Sequence, residues 1–151
     1  MSTTTTTATD PRDIITERDI DAPANKILRA VSDPAQFAQW WGPKGFRNTF
    51  STFDFRPGGE WKFTMHGPDG TDYENHNTFD EISPSRIVIR HVNAPHFTLT
   101  MTLEPRGGQT HVHWQQRFET AQLREQLAAI CIPANEQNFD RLEAVLAANN
   151  R

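Results

Sequence analysis

The sequence predicts an α+β domain in which one curved antiparallel sheet wraps a long C-terminal helix. The expected order is one strand, two short helices, a six-strand meander and the helix. Three observations carry this. From residue 46 to 118 apolar residues recur with period two, in segments cut by proline- and glycine-rich turns. From residue 121 onward they recur with the helical period. Between residues 23 and 41, two short helical patterns separate a first strand from the rest.

Residues 13–21 (DIITERDID) read as the first strand. Pro23 suits the first turn of a helix, where a missing N–H costs nothing, and Ile27, Leu28 and Val31 give that helix its apolar side. Asp33 then caps a second helix on which Phe37, Trp40 and Trp41 recur at helical spacing, and Gly42-Pro43 ends it. The meander is expected over 46–55, 60–66, 72–82, 86–93, 96–104 and 110–118. Its breaks are Pro57-Gly58-Gly59, Gly67-Pro68-Asp69-Gly70, Ser83-Pro84, Asn93-Ala94-Pro95 and Arg106-Gly107-Gly108. Proline sets φ early in such turns and glycine supplies positive φ, and connections this short favour antiparallel neighbours. In the last segment Leu123, Leu127 and Ile130 share one face, Pro133 is expected to interrupt, and Phe139, Leu142, Val145 and Leu146 form a second face.

Bulk properties narrow the function. A chain of 151 residues makes one domain with a single sizeable core. A mean hydropathy of -0.67 argues against a membrane protein, and no run approaches the roughly 18 apolar residues a spanning helix needs. A net charge of -4, with Lys and Arg scattered, offers no field for a polyanion, so a nucleic-acid partner is not expected. The single cysteine, Cys131, excludes an internal disulfide and fits a reducing compartment. The N-terminus MSTTTTTATDPR has no apolar signal region, so residues 1–12 read as a disordered tail, residues 13–151 as the domain, and the cytoplasm as its location.

The segments DAPANKILRAVSDP (21–34), QWWGPKGF (39–46), DFRPGGEWKFTMHGPDGTDY (54–73), FDEISPSRIVIRH (79–91) and NFDRLEAVL (138–146) together resemble the helix-grip superfamily. That superfamily (START, Bet v 1-like, SRPBCC) includes START domains, birch-pollen-allergen-like proteins and polyketide cyclases. Within it the chain is most similar to the branch named for the C-terminal domain of the activator of Hsp90 ATPase. The resemblance runs from about residue 13 onward and implies the helix-grip fold, with a pocket between the sheet and the terminal helix. It implies activity only weakly, because carriers, cyclases and chaperone regulators share the scaffold. Many members of the branch carry a Gly-rich or Gly-Trp segment before the last helix. Here Ile132-Pro133-Ala134-Asn135-Glu136 stands there, and no role is carried over.

Alternation phases the strands independently of any family. Trp61, Phe63 and Met65 share one face, as do Phe97, Leu99, Met101 and Leu103, and Val112, Trp114, Gln116 and Phe118. Two strands break the apolar pattern. The face that ends at Phe79 also holds Tyr73, Asn75 and Asn77, and the face of Ile87 and Ile89 ends at His91. Polar groups facing an apolar interior cost about 1–3 kcal/mol unless paired. Tyr73, Asn75 and His91 therefore bond one another, hold water, or form the polar end of a ligand pocket.

The expected ligand is a small apolar or aromatic molecule. Its wall would be Trp41, Trp61, Phe63, Met65, Phe97, Met101, Trp114 and Phe139, and its polar end Tyr73, Asn75 and His91, with His96 close by. A cyclase or hydrolase alternative uses His91 as base and Tyr73 or Asn75 to hold an oxyanion. A third alternative is a chaperone-interaction module, and a homodimer is left open. No metal or cofactor is expected. His111 and His113 phase outward, no cysteine or carboxylate completes a ligand set, and no nucleophile elbow, phosphate loop or dinucleotide fingerprint occurs. Glu60 and Asp80, near strand ends, are the only carboxylates close to the inward face. Cys131, in the apolar run AAICIP, reads as inert.

Overall fold

A computed structural model describes residues 3–6 and 9–149, with only the backbone described for residues 3–6. Its strands are β1 (Thr3–Thr6), β2 (Asp13–Ile20), β3 (Arg47–Phe53), β4 (Glu60–His66), β5 (Asp72–Ser83), β6 (Arg86–His91), β7 (Phe97–Arg106) and β8 (Gln109–Phe118). Its helices are α1 (Ala24–Ser32), α2 (Pro34–Trp40) and α3 (Ala121–Asn149). The strands form one antiparallel sheet in the order β1-β2-β8-β7-β6-β5-β4-β3. From residue 13 onward this is the expected architecture. No helix among the described residues is long and apolar enough to cross a membrane.

Two elements differ from expectation. Of the tail over residues 1–12, residues 1, 2, 7 and 8 lie outside those described, while Thr3–Thr6 pair with Ile15–Arg18 along the edge of β2. Threonine is β-branched and suits a strand, and β2 would otherwise present an open edge. The second difference is α3, which runs unbroken through Pro133. Proline removes one backbone hydrogen bond and crowds the carbonyl four residues earlier. Pro133 lies on the exposed face, where water can serve that carbonyl, so the helix continues.

The core is aromatic. Phe37 stacks on Trp61 with centroids 4.5 Å apart, and Trp61 stacks on Phe63 at 4.6 Å. Phe37, Trp40, Trp61 and Phe139 are fully buried, and each such ring contributes about 2–3 kcal/mol by leaving water. Trp40 also donates its Nε1–H to Ala30 O at 2.9 Å, which ties α2 to α1. The Pro-Gly-Gly turn admits no larger residue at its end: a Cβ on Gly59 would stand 1.9 Å from Asp54 O.

Two arginines dock α3. Arg18 points inward from β2 and is 7% exposed; its Nη1 donates to Asp140 Oδ1 at 2.9 Å and to the Glu143 carboxylate, with the guanidinium 5.4 Å from the Phe139 ring centroid. Arg141 works the other way, from α3 into the loop that follows α2. Its Nη1 donates to the carbonyls of Trp41 (3.1 Å), Gly42 (2.9 Å) and Pro43 (3.0 Å), and its Nη2 to Gln39 (2.7 Å) and Phe46 (3.0 Å). The last carbonyls of a helix have no partner within it, and a cation there is favourable. Burial pushes the Arg141 pKa below its ordinary value.

Asn138 and Gln137 hold the same loop by its donors. Asn138 Oδ1 accepts from Gly42 N at 2.7 Å and Gln137 Oε1 from Lys44 N at 3.0 Å. Gly42 has a φ of 93°, a backbone shape that other residues rarely adopt. Replacing Arg141 by lysine keeps the charge but cannot reach these carbonyls together. We expect Arg141→Lys to lower unfolding free energy by about 2–4 kcal/mol, read as a fall in the urea midpoint. An unchanged midpoint would mean that the loop holds without the guanidinium.

Candidate functional site

A pocket of about 220 Å³ opens where α3 stands off the sheet. Its floor comes from the inward positions of five strands: Phe63 and Met65 of β4, Asn75 and Asn77 of β5, His91 of β6, Phe97 and Leu99 of β7, and Trp114 and Gln116 of β8. Its roof is one stripe of α3, made of Cys131, Ala134, Asn135 and Asn138. Trp41, Gly42 and Pro43, the residues that Arg141 grips, form the rim with Pro95. Of the adjacent tryptophans, Trp40 is in the core and Trp41 is half-buried at the rim, stacked on Trp114 at 5.6 Å.

The residues predicted for the site divide into three groups. Trp41, Phe63, Met65, Asn75, His91, Phe97 and Trp114 line the pocket together. Trp61, Met101 and Phe139 face inward as expected but lie in the solid core beneath it, packed among other side chains. Tyr73 and His96 do not join the polar end. Tyr73 shares the parity of Asn75, but β5 has run past the roof by then, and Tyr73 is 47% exposed beside Phe46. His96 precedes β7 and is exposed on the outer side of His91.

Asn75 and His91 do meet across the sheet. His91 Nδ1 lies 2.7 Å from Pro95 O and Nε2 lies 2.9 Å from Asn75 Oδ1. A carbonyl only accepts, so Nδ1 carries hydrogen. Burial is the largest influence on His91 and lowers its pKa, opposed by the bond to Pro95. The ring is then neutral at pH 7, and in that state Nε2 can accept a hydrogen only if the Asn75 amide turns its nitrogen to the ring and gives up the bond to Tyr73 O. The orientation with Asn75 Oδ1 toward the ring, and its nitrogen 3.2 Å from Tyr73 O, belongs to the protonated ring. Both ring nitrogens are engaged in either state.

Among the lining residues missing from the predicted site are Gln116 and, on α3, Cys131, Asn135 and Asn138. Gln116 was already phased inward. The other three lie at positions i, i+4 and i+7 of one helix, a spacing visible only if the helix is allowed to pass Pro133. Asn135 Nδ2 donates to Gln116 Oε1 at 3.1 Å. Burial raises the Cys131 thiol pKa, with a Gln116 hydrogen bond acting the other way, so the thiol stays protonated and is no nucleophile.

A larger cleft, about 530 Å³, lies on the other side of His91 and Phe97. Three of its residues are Arg12, Arg90 and Arg117, and each already holds a carboxylate: Asp10 at 2.7 Å, Asp80 at 3.2 Å and Asp13 at 2.7 Å. Water serves such a cleft well, and the smaller apolar pocket is the stronger candidate. On the outer face His111 is held between Glu17 (2.8 Å) and Asp19 (2.7 Å), one on each ring nitrogen, so the three cannot converge on a metal. Glu60 and Asp80 also face outward, paired with Lys62 and Arg90.

The two histidines titrate in opposite directions. The Glu17 bond is the main cause raising the His111 pKa, while burial lowers that of His91. A folded pKa raised above 6.5 gives stability that is present below 6.5 and lost as pH rises through the folded value. A folded pKa lowered from 6.5 gives the reverse: stability falls as pH drops from 6.5 through the folded value. Ring-proton NMR titration is expected to place the His111 midpoint above 6.5 and the His91 midpoint below it. The opposite order would overturn the burial and pairing described.

The sequence model of the family described as "Activator of Hsp90 ATPase homolog 1-like protein" matches residues 21–147. A search of curated proteins finds none that matches. Among solved structures, a protein of Arthrobacter aurescens is similar with a TM-score of 0.87 at 22% identity, over 96% of this chain and 91% of its own. One of Mycobacterium smegmatis gives 0.85 at 22% identity, over 97% and 98%. An AHSA1-like protein of Aeromonas hydrophila gives 0.74 at 20% identity, over 91% and 94%. At these identities the likeness is one of fold.

Proposed function

This chain belongs to the activator of Hsp90 ATPase homolog 1-like family, and on that scaffold we propose that it binds a small apolar or aromatic molecule between the sheet and α3. The observation that carries the reading is an apolar pocket of about 220 Å³ with its polar groups gathered among ring and aliphatic walls. That composition is typical of small-molecule sites. The volume sets the size of the occupant. A cavity of about 150 Å³ holds benzene, and drug-sized ligands fill about 300–1,000 Å³. One ring with a few substituent atoms fits here, and anything larger must extend past Trp41.

The geometry favours binding over acid–base catalysis. His91 has no nitrogen free for a substrate proton, Tyr73 is outside the pocket, and no carboxylate lines it among the described residues. The chaperone alternative draws its support from the family's name, and would use an outer surface that leaves the pocket empty.

Toluene is a suitable probe. Calorimetry or ligand-observed NMR should detect its binding to the full chain, and a higher melting temperature should accompany saturation. Ala134→Trp, which fills the roof from a partly exposed helix position, should abolish the binding while the protein stays folded. Toluene binding that survives Ala134→Trp would place the ligand elsewhere.

A further inference from the structure

We propose that the pocket selects an uncharged aromatic molecule whose edge carries a carbonyl beside an N–H, the chemistry of an aromatic carboxamide or lactam. This rests on the reading that the pocket takes a ligand, and specifies which.

Charge is the first filter. The described lining residues include no Asp, Glu, Lys or Arg. Burial acts on the two titratable ones, His91 and Cys131, in the direction that keeps each uncharged. A carboxylate or ammonium group entering would lose its water and meet no counter-charge, at a cost of several kcal/mol.

Hydrogen bonding is the second. Asn77, Gln116, Asn135 and Asn138 line the pocket and are only 3%, 7%, 5% and 6% exposed. A pocket for hydrocarbons gains nothing from four carboxamides, because each end left unpaired in the bound state costs about 1–3 kcal/mol. Asn77 donates Nδ2 to Trp61 O at 3.3 Å, and on α3 the backbone fixes which end of Asn138 remains while the pairing with Gln116 leaves one end of Asn135. The Gly42 N–H can only donate, so Asn138 must turn Oδ1 to it, at 2.7 Å. Its Nδ2 then has no partner among the described residues. Gln116 spends Oε1 on Asn135 Nδ2 and also hydrogen-bonds the Cys131 thiol. Asn135 Oδ1 is left without a partner among the described residues.

A donor and an acceptor therefore project from one face of α3, three residues apart, where side chains are neighbours at about 5–6 Å between Cβ atoms. The complement is a ligand edge that accepts from Asn138 and donates to Asn135. An amide presents a carbonyl and an N–H side by side and carries no charge. A carboxylate only accepts and is charged, and a hydrocarbon does neither. With the amide edge on α3, the ring faces Phe63 and Trp114 on the sheet.

Three probes of nearly equal shape separate these cases: benzamide, benzoate and isopropylbenzene, titrated into the full chain at pH 7.5 by calorimetry or NMR. Benzamide is expected to bind at least about tenfold more tightly than either of the others. Asn138→Asp keeps the oxygen that receives Gly42 N–H but replaces the free donor with an acceptor. It should remove the benzamide preference, and Asn135→Leu, which adds no charge, should reduce the preference independently. Isopropylbenzene or benzoate binding as tightly as benzamide would overturn the selectivity and leave the pocket standing. So would a benzamide preference that survives both substitutions. If none of the three binds, the pocket reading falls as well.

Discussion

Five backbone carbonyls converge on the guanidinium of Arg141, and the arrangement of the site follows from that contact. The loop over residues 39–46 joins α2 to the sheet and has few hydrogen bonds of its own, such as Phe46 N to Pro43 O at 3.2 Å. Without an external donor its carbonyls would need water, and Trp41 could not be held at the rim. Arginine suits the task because its planar fork presents five N–H groups in fixed directions and stays charged when half-buried. Asn138 and Gln137, one turn before it, take the N–H groups of Gly42 and Lys44. The last half of α3 thus reads the loop by both its donors and its acceptors. The same contacts set the stand-off between helix and sheet, and with it the pocket.

Charge is distributed accordingly. Arg18 and its carboxylates Asp140 and Glu143 pin α3 to β2, Arg141 pins it to the loop, and the histidine–carboxylate contacts lie on the outer face. The described lining of the pocket contains only neutral side chains, with carboxamides where polarity is needed. A charged group placed inside would pull in water and counter-ions, and the room for one aromatic ring would be lost. Keeping ions to the docking contacts leaves the interior lined by neutral groups.

Most of the fold was legible because the sheet advertises itself. Alternation in 60–66, 97–103 and 112–118 reports burial residue by residue, and the proline–glycine turns place the strand ends. The polar breaks at Asn75 and His91 pointed to a real contact, since the two side chains bond across the sheet. Tyr73 was misplaced because parity tells which face a side chain takes but not how far the opposing helix extends. The roof was the least legible part. Read as a stop, Pro133 cut the helix in two and hid the spacing of Cys131, Asn135 and Asn138, and nothing in local propensity says that an exposed proline can be tolerated. Trp61, Met101 and Phe139 show the remaining limit: sequence can assign a residue to the interior without telling a packed core from the wall of a space.

The central claim is that the space beneath Trp41 is a site for an uncharged aromatic molecule, held open by the way Arg141 docks α3. Intermolecular NOEs on the toluene-saturated protein test it most directly. The account predicts contacts from the toluene ring to the methyl groups of Leu99, Met65 and Ala134 and to the Trp41 indole, all of which line that space. Contacts confined to Val92 and Thr98 in the outer cleft, or to no methyl group of the pocket, would contradict it.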